Sequence, residues 1–143
     1  MKIETPTKSD YMKLITVWEA SVRATHQFLS EADIVSLKPL ILEHYFDAVD
    51  LRAAKCDGGN IIGFIGVAEE NIEMLFVTPE FFNQGAGRQL LQFAIENQQA
   101  KKVDVNEQNP SAVGFYQHFG FSIVDRSPLD GQGQPFPLLH MQL

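Results

Sequence analysis

Cysteine is almost absent. Cys56 stands alone in 143 residues, so no disulfide can close within the chain, and a reducing cytoplasmic compartment is the expectation. Long apolar runs are absent too. None approaches the roughly 20 residues that cross a bilayer, so no membrane partner is expected. The opening Met1-Lys2-Ile3-Glu4-Thr5-Pro6 lacks the apolar core of a signal peptide. Positive charge is scarce. Eleven Lys and Arg face 18 Asp and Glu, and the net charge of −7 suits a cationic partner better than nucleic acid, which demands basic patches. The four histidines and Cys56 show no metal-ligand spacing, so no metal is expected. Repeats, low-complexity runs and interdomain linkers are also missing, which predicts one domain over residues 1–143.

What is present is enough apolar content, 45% of residues, to build a real core. Lys2 to Thr5 reads as a short edge strand. Thr7 to Asp10 has the form of a capping box, and Tyr11, Leu14, Ile15, Trp18 and Val22 then fall on one helical face. Thr25 to Leu29 reads as a linker. Ser30 to Asp33 repeats the capping pattern and starts a second helix toward Phe46, in which Pro39 predicts a kink or a division into two short helices. Beyond Asp50 the pattern changes to strands. Leu51 to Lys55, Ile61 to Ala68 and Ile72 to Val77 are joined by turns, which predicts an antiparallel meander. A helix follows over Gly87 to Ile95, then a strand over Lys102 to Val105 and a helix from Asn109 to Gly120. Two last strands, Phe121 to Arg126 and Pro137 to Gln142, flank a Gly/Pro loop. This order predicts an α/β fold with a mixed sheet of about six or seven strands and helices on both faces.

One junction organises the rest. The strand Ile72 to Val77 leads through Thr78-Pro79 to Gln84-Gly85-Ala86-Gly87-Arg88, which opens a helix. Free N–H groups and the positive end of the helix dipole converge there, and they suit a phosphate. Gly85 and Gly87 let the backbone approach an anion closely. Read alone, the same glycines are a surface turn that caps a helix.

A second segment changes that balance. Asn109-Pro110-Ser111-Ala112-Val113-Gly114-Phe115-Tyr116-Gln117-His118-Phe119-Gly120-Phe121 is similar to the Asn-x-x-Ala-x-x-Phe/Leu-Tyr-x-x-x-Gly-Phe segment of the GNAT superfamily of acyl-CoA-dependent N-acetyltransferases. Leu75-x-Val77-x-Pro79 followed by Gln84 to Arg88 resembles that family's acetyl-CoA pyrophosphate loop. The resemblance covers nearly the whole chain in element order. Val22-x-Ala24-Thr25-His26-x-Phe28-Leu29-Ser30, Val105 to Asn109 and Pro135-x-Pro137-Leu138-Leu139 resemble the small YjaB-type bacterial subgroup. There is one departure. Phe82 and Asn83 stand where family members usually carry Gln or Arg and then Arg or Gly, which leaves Arg88 as the obvious cation of the loop.

The resemblance implies a GNAT fold and transfer of an acetyl group from acetyl-CoA to a primary amine by direct attack in a ternary complex. The acceptor would be a small molecule or a protein amine, and the protein a monomer or homodimer. The alternative is a non-catalytic acyl-CoA-binding regulatory module of the same fold. Cofactor contacts would come from Leu75, Phe76 and Val77, from Asn83, Gln84, Gly85, Ala86, Gly87 and Arg88, and from Asn109 and Tyr116. Tyr116 would also be the acid that protonates the leaving thiolate, although composition alone reads it as a core tyrosine beside Phe115 and Phe119. Two carboxylates compete for the base. Glu73 alternates onto the strand face of Leu75 and Val77 and would act through water. Asp104 lies five residues before Asn109, where other members carry an acidic base. Each also reads as a solvated strand carboxylate. His26 and Phe28 fall in the region that lines the acceptor side in the family. The imidazole could relay the amine proton, or simply hydrogen-bond backbone in a loop.

Overall fold

The computed structural model describes residues 1–143. Seven strands form one sheet: β1 (Lys2–Glu4), β2 (Asp50–Lys55), β3 (Ile61–Ala68), β4 (Asn71–Val77), β5 (Lys102–Asn106), β6 (Ser122–Ser127) and β7 (Leu138–Gln142). Their spatial order is β1-β2-β3-β4-β5-β7-β6. Four α-helices pack on it: α1 (Tyr11–Thr25), α2 (Glu31–Leu40), α3 (Ala86–Asn97) and α4 (Pro110–His118). The expected meander is β2-β3-β4, antiparallel throughout. The β4–α3–β5 crossover makes the parallel pair. The last strand enters between β5 and β6, so β6 is left at the edge.

Local chemistry starts the helices where the caps predicted. Thr7 N–H donates to Asp10 Oδ2 at 3.0 Å, one 3₁₀ turn ahead of α1. Ser30 and Asp33 exchange bonds of 2.9 and 3.1 Å, a complete capping box at the head of α2. At Pro39 the chain does not divide into two separate helices: α2 ends one residue later, at Leu40, and passes directly into a π-turn over Ile41–Tyr45. A proline this close to the helix end removes few backbone bonds, and buried Ile41 and Phe46 anchor the following turns to the core.

Two apolar layers sandwich the sheet. On one face Leu14, Ile15, Trp18 and Val22 of α1 meet Phe46, Phe64 and Met74. On the other, Leu90, Leu91 and Ala94 of α3 and Tyr116 of α4 meet Ile65, Val103 and Val105. Phe46 and Phe64 are essentially inaccessible to solvent, and each contributes about 1.5–3 kcal/mol by burial.

Candidate active site

The site begins with a fault in the sheet. β4 and β5 pair only at Asn71–Lys102 and Ile72–Val103. One residue later β4 is bulged: Val67 of β3 faces Ile72, Gly66 faces Met74, and Glu73 is the extra residue. A bulge bends its strand. Here the bend coincides with the point where β4 and β5 part. Past it, β4 keeps β3 on one side and has an open edge on the other.

That edge is polar backbone. Thr78 N–H donates to Ile62 O at 2.8 Å, toward β3. Antiparallel ladders alternate, so Phe76 also addresses β3, while Leu75 and Val77 turn their N–H and C=O groups to the gap. An extended ligand with amides of its own can pair there as an added strand.

The gap widens into a cleft of about 570 Å³. Its walls come from β4, from the loop Phe81 to Arg88, from α4, and from Ser21, Thr25 and His26 at the end of α1. Gly85 sits at φ +90° and turns the chain into α3. No side chain caps that helix, so its first N–H groups are left for a ligand. Asn83 adopts φ +62°, a conformation asparagine tolerates, and it borders the same space. Gln84 turns away, and its Nε2 donates to Glu80 O at 3.1 Å. Arg88 lines the cleft as its only arginine.

From α4 come Asn109 and Tyr116. Asn109 Oδ1 accepts Ala112 N–H at 3.3 Å, so it caps the helix and still borders the cleft. Tyr116 retains 6% of its surface and packs edge-on against Phe115 and Phe121 at 5.2 and 5.6 Å between centroids. Burial alone pushes its phenol well above the ordinary tyrosine value. It therefore stays protonated at any physiological pH, which is the state a donor to a thiolate needs.

His26 and Phe28 continue a row of rings. Phe46, Phe64 and Phe76 follow one another at 5.7 Å, His26 lies 6.3 Å from Phe76, and Phe28 bridges His26 and Phe136 at 5.3 Å each. His26 lines the cleft, whereas Phe28 packs behind it. Thr25 Oγ1 donates to Ser21 O at 2.8 Å and lies 2.7 Å from His26 Nδ1. Burial lowers the His26 pKa to about 4.

Glu73 and Asp104 do not join these groups. They line a separate depression of about 310 Å³ with Lys102 and His140. The bulge breaks the alternation that would have set Glu73 with Leu75 and Val77. Val103 and Val105 point into the α3–α4 core, so Asp104 between them faces the other way. There Asp104 Oδ1 lies 2.6 Å from His140 Nδ1, and His140 Nε2 lies 2.6 Å from Ser127 Oγ. A carboxylate only accepts, so Nδ1 donates to it, which leaves Nε2 to face the Ser127 hydroxyl.

Ser21, Thr25, Phe81, Phe115 and Phe119 also line the cleft, and the sequence reading gave them no site role. For Thr25 a signal existed, a hydroxyl directly before the candidate histidine. The others are apolar or small residues whose place depends on the splayed strands.

Comparison with known proteins agrees with this fold. Residues 37–143 match the family described as acetyltransferase (GNAT) domain. The peptidyl-lysine N-acetyltransferase YjaB of Salmonella typhimurium is 38% identical over 90% of this chain and 88% of its own length. The solution structure of apo-form YjaB from Escherichia coli superposes with a TM-score of 0.86 at 32% identity, covering 99% of this chain and 95% of that one. The PaiA N-acetyltransferase of Thermoplasma acidophilum, solved in complex with coenzyme A, shares the fold with a TM-score of 0.76 at 21% identity, covering 99% and 98% of the two chains.

Proposed function

The chain belongs to the acetyltransferase (GNAT) family and is an N-acetyltransferase, and on that premise we propose that it moves the acetyl group of acetyl-CoA to the side-chain amine of a peptidyl lysine by direct attack. The observation that carries this reading is the parting of β4 from β5 beside an uncapped helix N-terminus and a buried tyrosine. Acetyl-CoA supplies an activated thioester. The first turn of α3, with Arg88, holds its pyrophosphate. Leu75 and Val77 hold the pantetheine arm along the open edge, and one strand N–H meets the thioester oxygen. Asn109 has an amide N–H₂ left to donate, since only its oxygen serves the cap. Tyr116 donates to the departing sulfur. Glu73, through ordered water, or Asp104 takes up the amine proton from across the strand gap.

The lysine assignment rests on the relatives' named activity and on the chain's acidity, which favours cationic partners. The fit to a catalyst, over a binding module, rests on Tyr116 standing in the cleft wall. A panel of amines tests both: lysyl peptides, free amino acids and polyamines, each with acetyl-CoA, followed by CoA release. The highest kcat/KM is expected for lysyl peptides. A higher value for free polyamines overturns the lysine assignment, and silence with every amine overturns the acyl-transfer reading.

A further inference from the structure

The cleft holds no carboxylate, so the group that first meets the incoming amine must be sought elsewhere. Four titratable side chains line the space: His26, Arg88, Tyr116 and His118. Arg88 has no lone pair to offer, and Tyr116 belongs with the departing sulfur. His118 is the last residue of α4 and has no ring contact with the His26–Phe28–Phe76 row. His26 stands on the acceptor side, between Phe28 and Phe76.

Hydrogen counting fixes which nitrogen of His26 is bare. A threonine hydroxyl has one hydrogen, and Thr25 places it on Ser21 O at 2.8 Å. The contact of 2.7 Å between Thr25 Oγ1 and His26 Nδ1 must then be a donation from the ring, so Nδ1 carries the proton. In the neutral ring Nε2 is an unshared lone pair, and no protein group pairs with it. The backbone fixes the ring's base as well. His26 N–H donates to Val22 O at 2.8 Å, and Leu29 N–H donates to His26 O at 3.0 Å.

We propose that His26 Nε2 is the hydrogen-bond acceptor that receives an N–H of the acceptor amine and aims its lone pair at the thioester carbon. This rests on the acetyl-transfer reading and adds the residue that orients the nucleophile. Thr25 is a positioning residue that holds the ring in one tautomer. The rings of Phe28 and Phe76 make the surroundings apolar, which penalises an ammonium and favours the neutral amine that can attack. With so low a basicity His26 does not keep the proton. It orients the amine, and the proton passes on to water and the carboxylates across the gap.

His26→Asn keeps a group near Nδ1 and removes Nε2, whereas His26→Gln can return an oxygen near the Nε2 position. We expect His26→Asn to lower kcat/KM for a lysyl peptide roughly 10- to 100-fold, with the acetyl-CoA-induced rise in Tm unchanged. His26→Gln should recover part of the loss. Long-range ¹H–¹⁵N spectra of the wild-type protein should show the Nδ1–H tautomer. An Nε2–H tautomer, or full turnover in His26→Asn, overturns the inference and leaves the transfer reaction standing. Wild-type protein that releases no more CoA with any amine than without one overturns both.

Discussion

Replacing Gly87 with alanine should make the free protein more stable and the acetyl-CoA complex weaker. A Cβ built at Gly87 meets only ordinary contacts, 3.7 Å to Phe115 Cζ and 3.8 Å to Val77 Cγ2. The residue lies in the first turn of α3, where alanine removes unfolded-state freedom and stabilises by about 0.4–1 kcal/mol. At about 4 °C per kcal/mol the Tm of the free protein rises by about 2–4 °C. Phe115 and Val77 are both cleft walls, so the new methyl stands where the ligand approaches the backbone. In wild type, acetyl-CoA at about 100 times Kd adds about 2.7 kcal/mol, or about 10 °C. If the methyl weakens binding about 100-fold, the same concentration adds about 0.4 kcal/mol, or about 2 °C. Gly85→Ala is the contrast. Nothing lies within 4 Å of its Cβ, but φ +90° strains any L-residue by about 1–2 kcal/mol, so the free protein loses about 4–8 °C. Thermal melts with and without acetyl-CoA read all four quantities. A Gly87→Ala protein that keeps the whole ligand-induced shift refutes the close approach of the cofactor at this residue. A lower Tm without ligand refutes the packing argument.

His26 makes stability depend on pH. Its folded pKa, about 4, lies below the unfolded value near 6.5, so its contribution is complete above about pH 6.5 and is lost as pH falls toward 4. From pH 7.5 to 5 that loss is about 2 kcal/mol, and His26→Phe should flatten this part of a Tm–pH curve; an identical slope in the variant refutes the assignment. Tyr116→Phe should lower kcat by roughly 10²-fold or more while the acetyl-CoA-induced Tm shift persists, because the phenyl ring keeps the packing against Phe115 and Phe121. Unchanged turnover across pH removes Tyr116 as the acid. Of Glu73→Gln and Asp104→Asn, only the true proton acceptor should flatten the acidic limb of the pH–rate profile. If both variants keep that limb, water or another group is the base.

The parts of the fold written in near neighbours along the chain were legible. Ser30 and Asp33 are three residues apart and form their capping box with no tertiary help. The apolar stripe of α1 is a 3.6-residue period, and Leu14, Ile15, Trp18 and Val22 of it are buried, with Tyr11 only partly covered and Val17 and Ser21 buried beside them. The glycine turn after β4 reads as a helix entry because φ +90° at Gly85 is a local demand that glycine meets. Pro39 was legible only in part. Its ring chemistry is local, but whether the helix breaks or widens depended on what Ile41 and Phe46 found to pack against. The order of the last two strands was not legible at all. A hairpin can dock through either strand, and the pattern of β6 and β7 does not say which one meets β5.

The sequence by itself determined the element order, the glycine-rich helix entry and the two motif segments, because each rests on backbone demands within one turn or strand. Only the tertiary structure decided how the candidate residues are shared between two places. At the bulged Glu73 the pairing of β4 with β5 ends, the cleft lies beyond that point, and Glu73 and Asp104 line a different depression from Tyr116. A bulge is defined against a partner strand, so strict alternation along β4 could not foresee it.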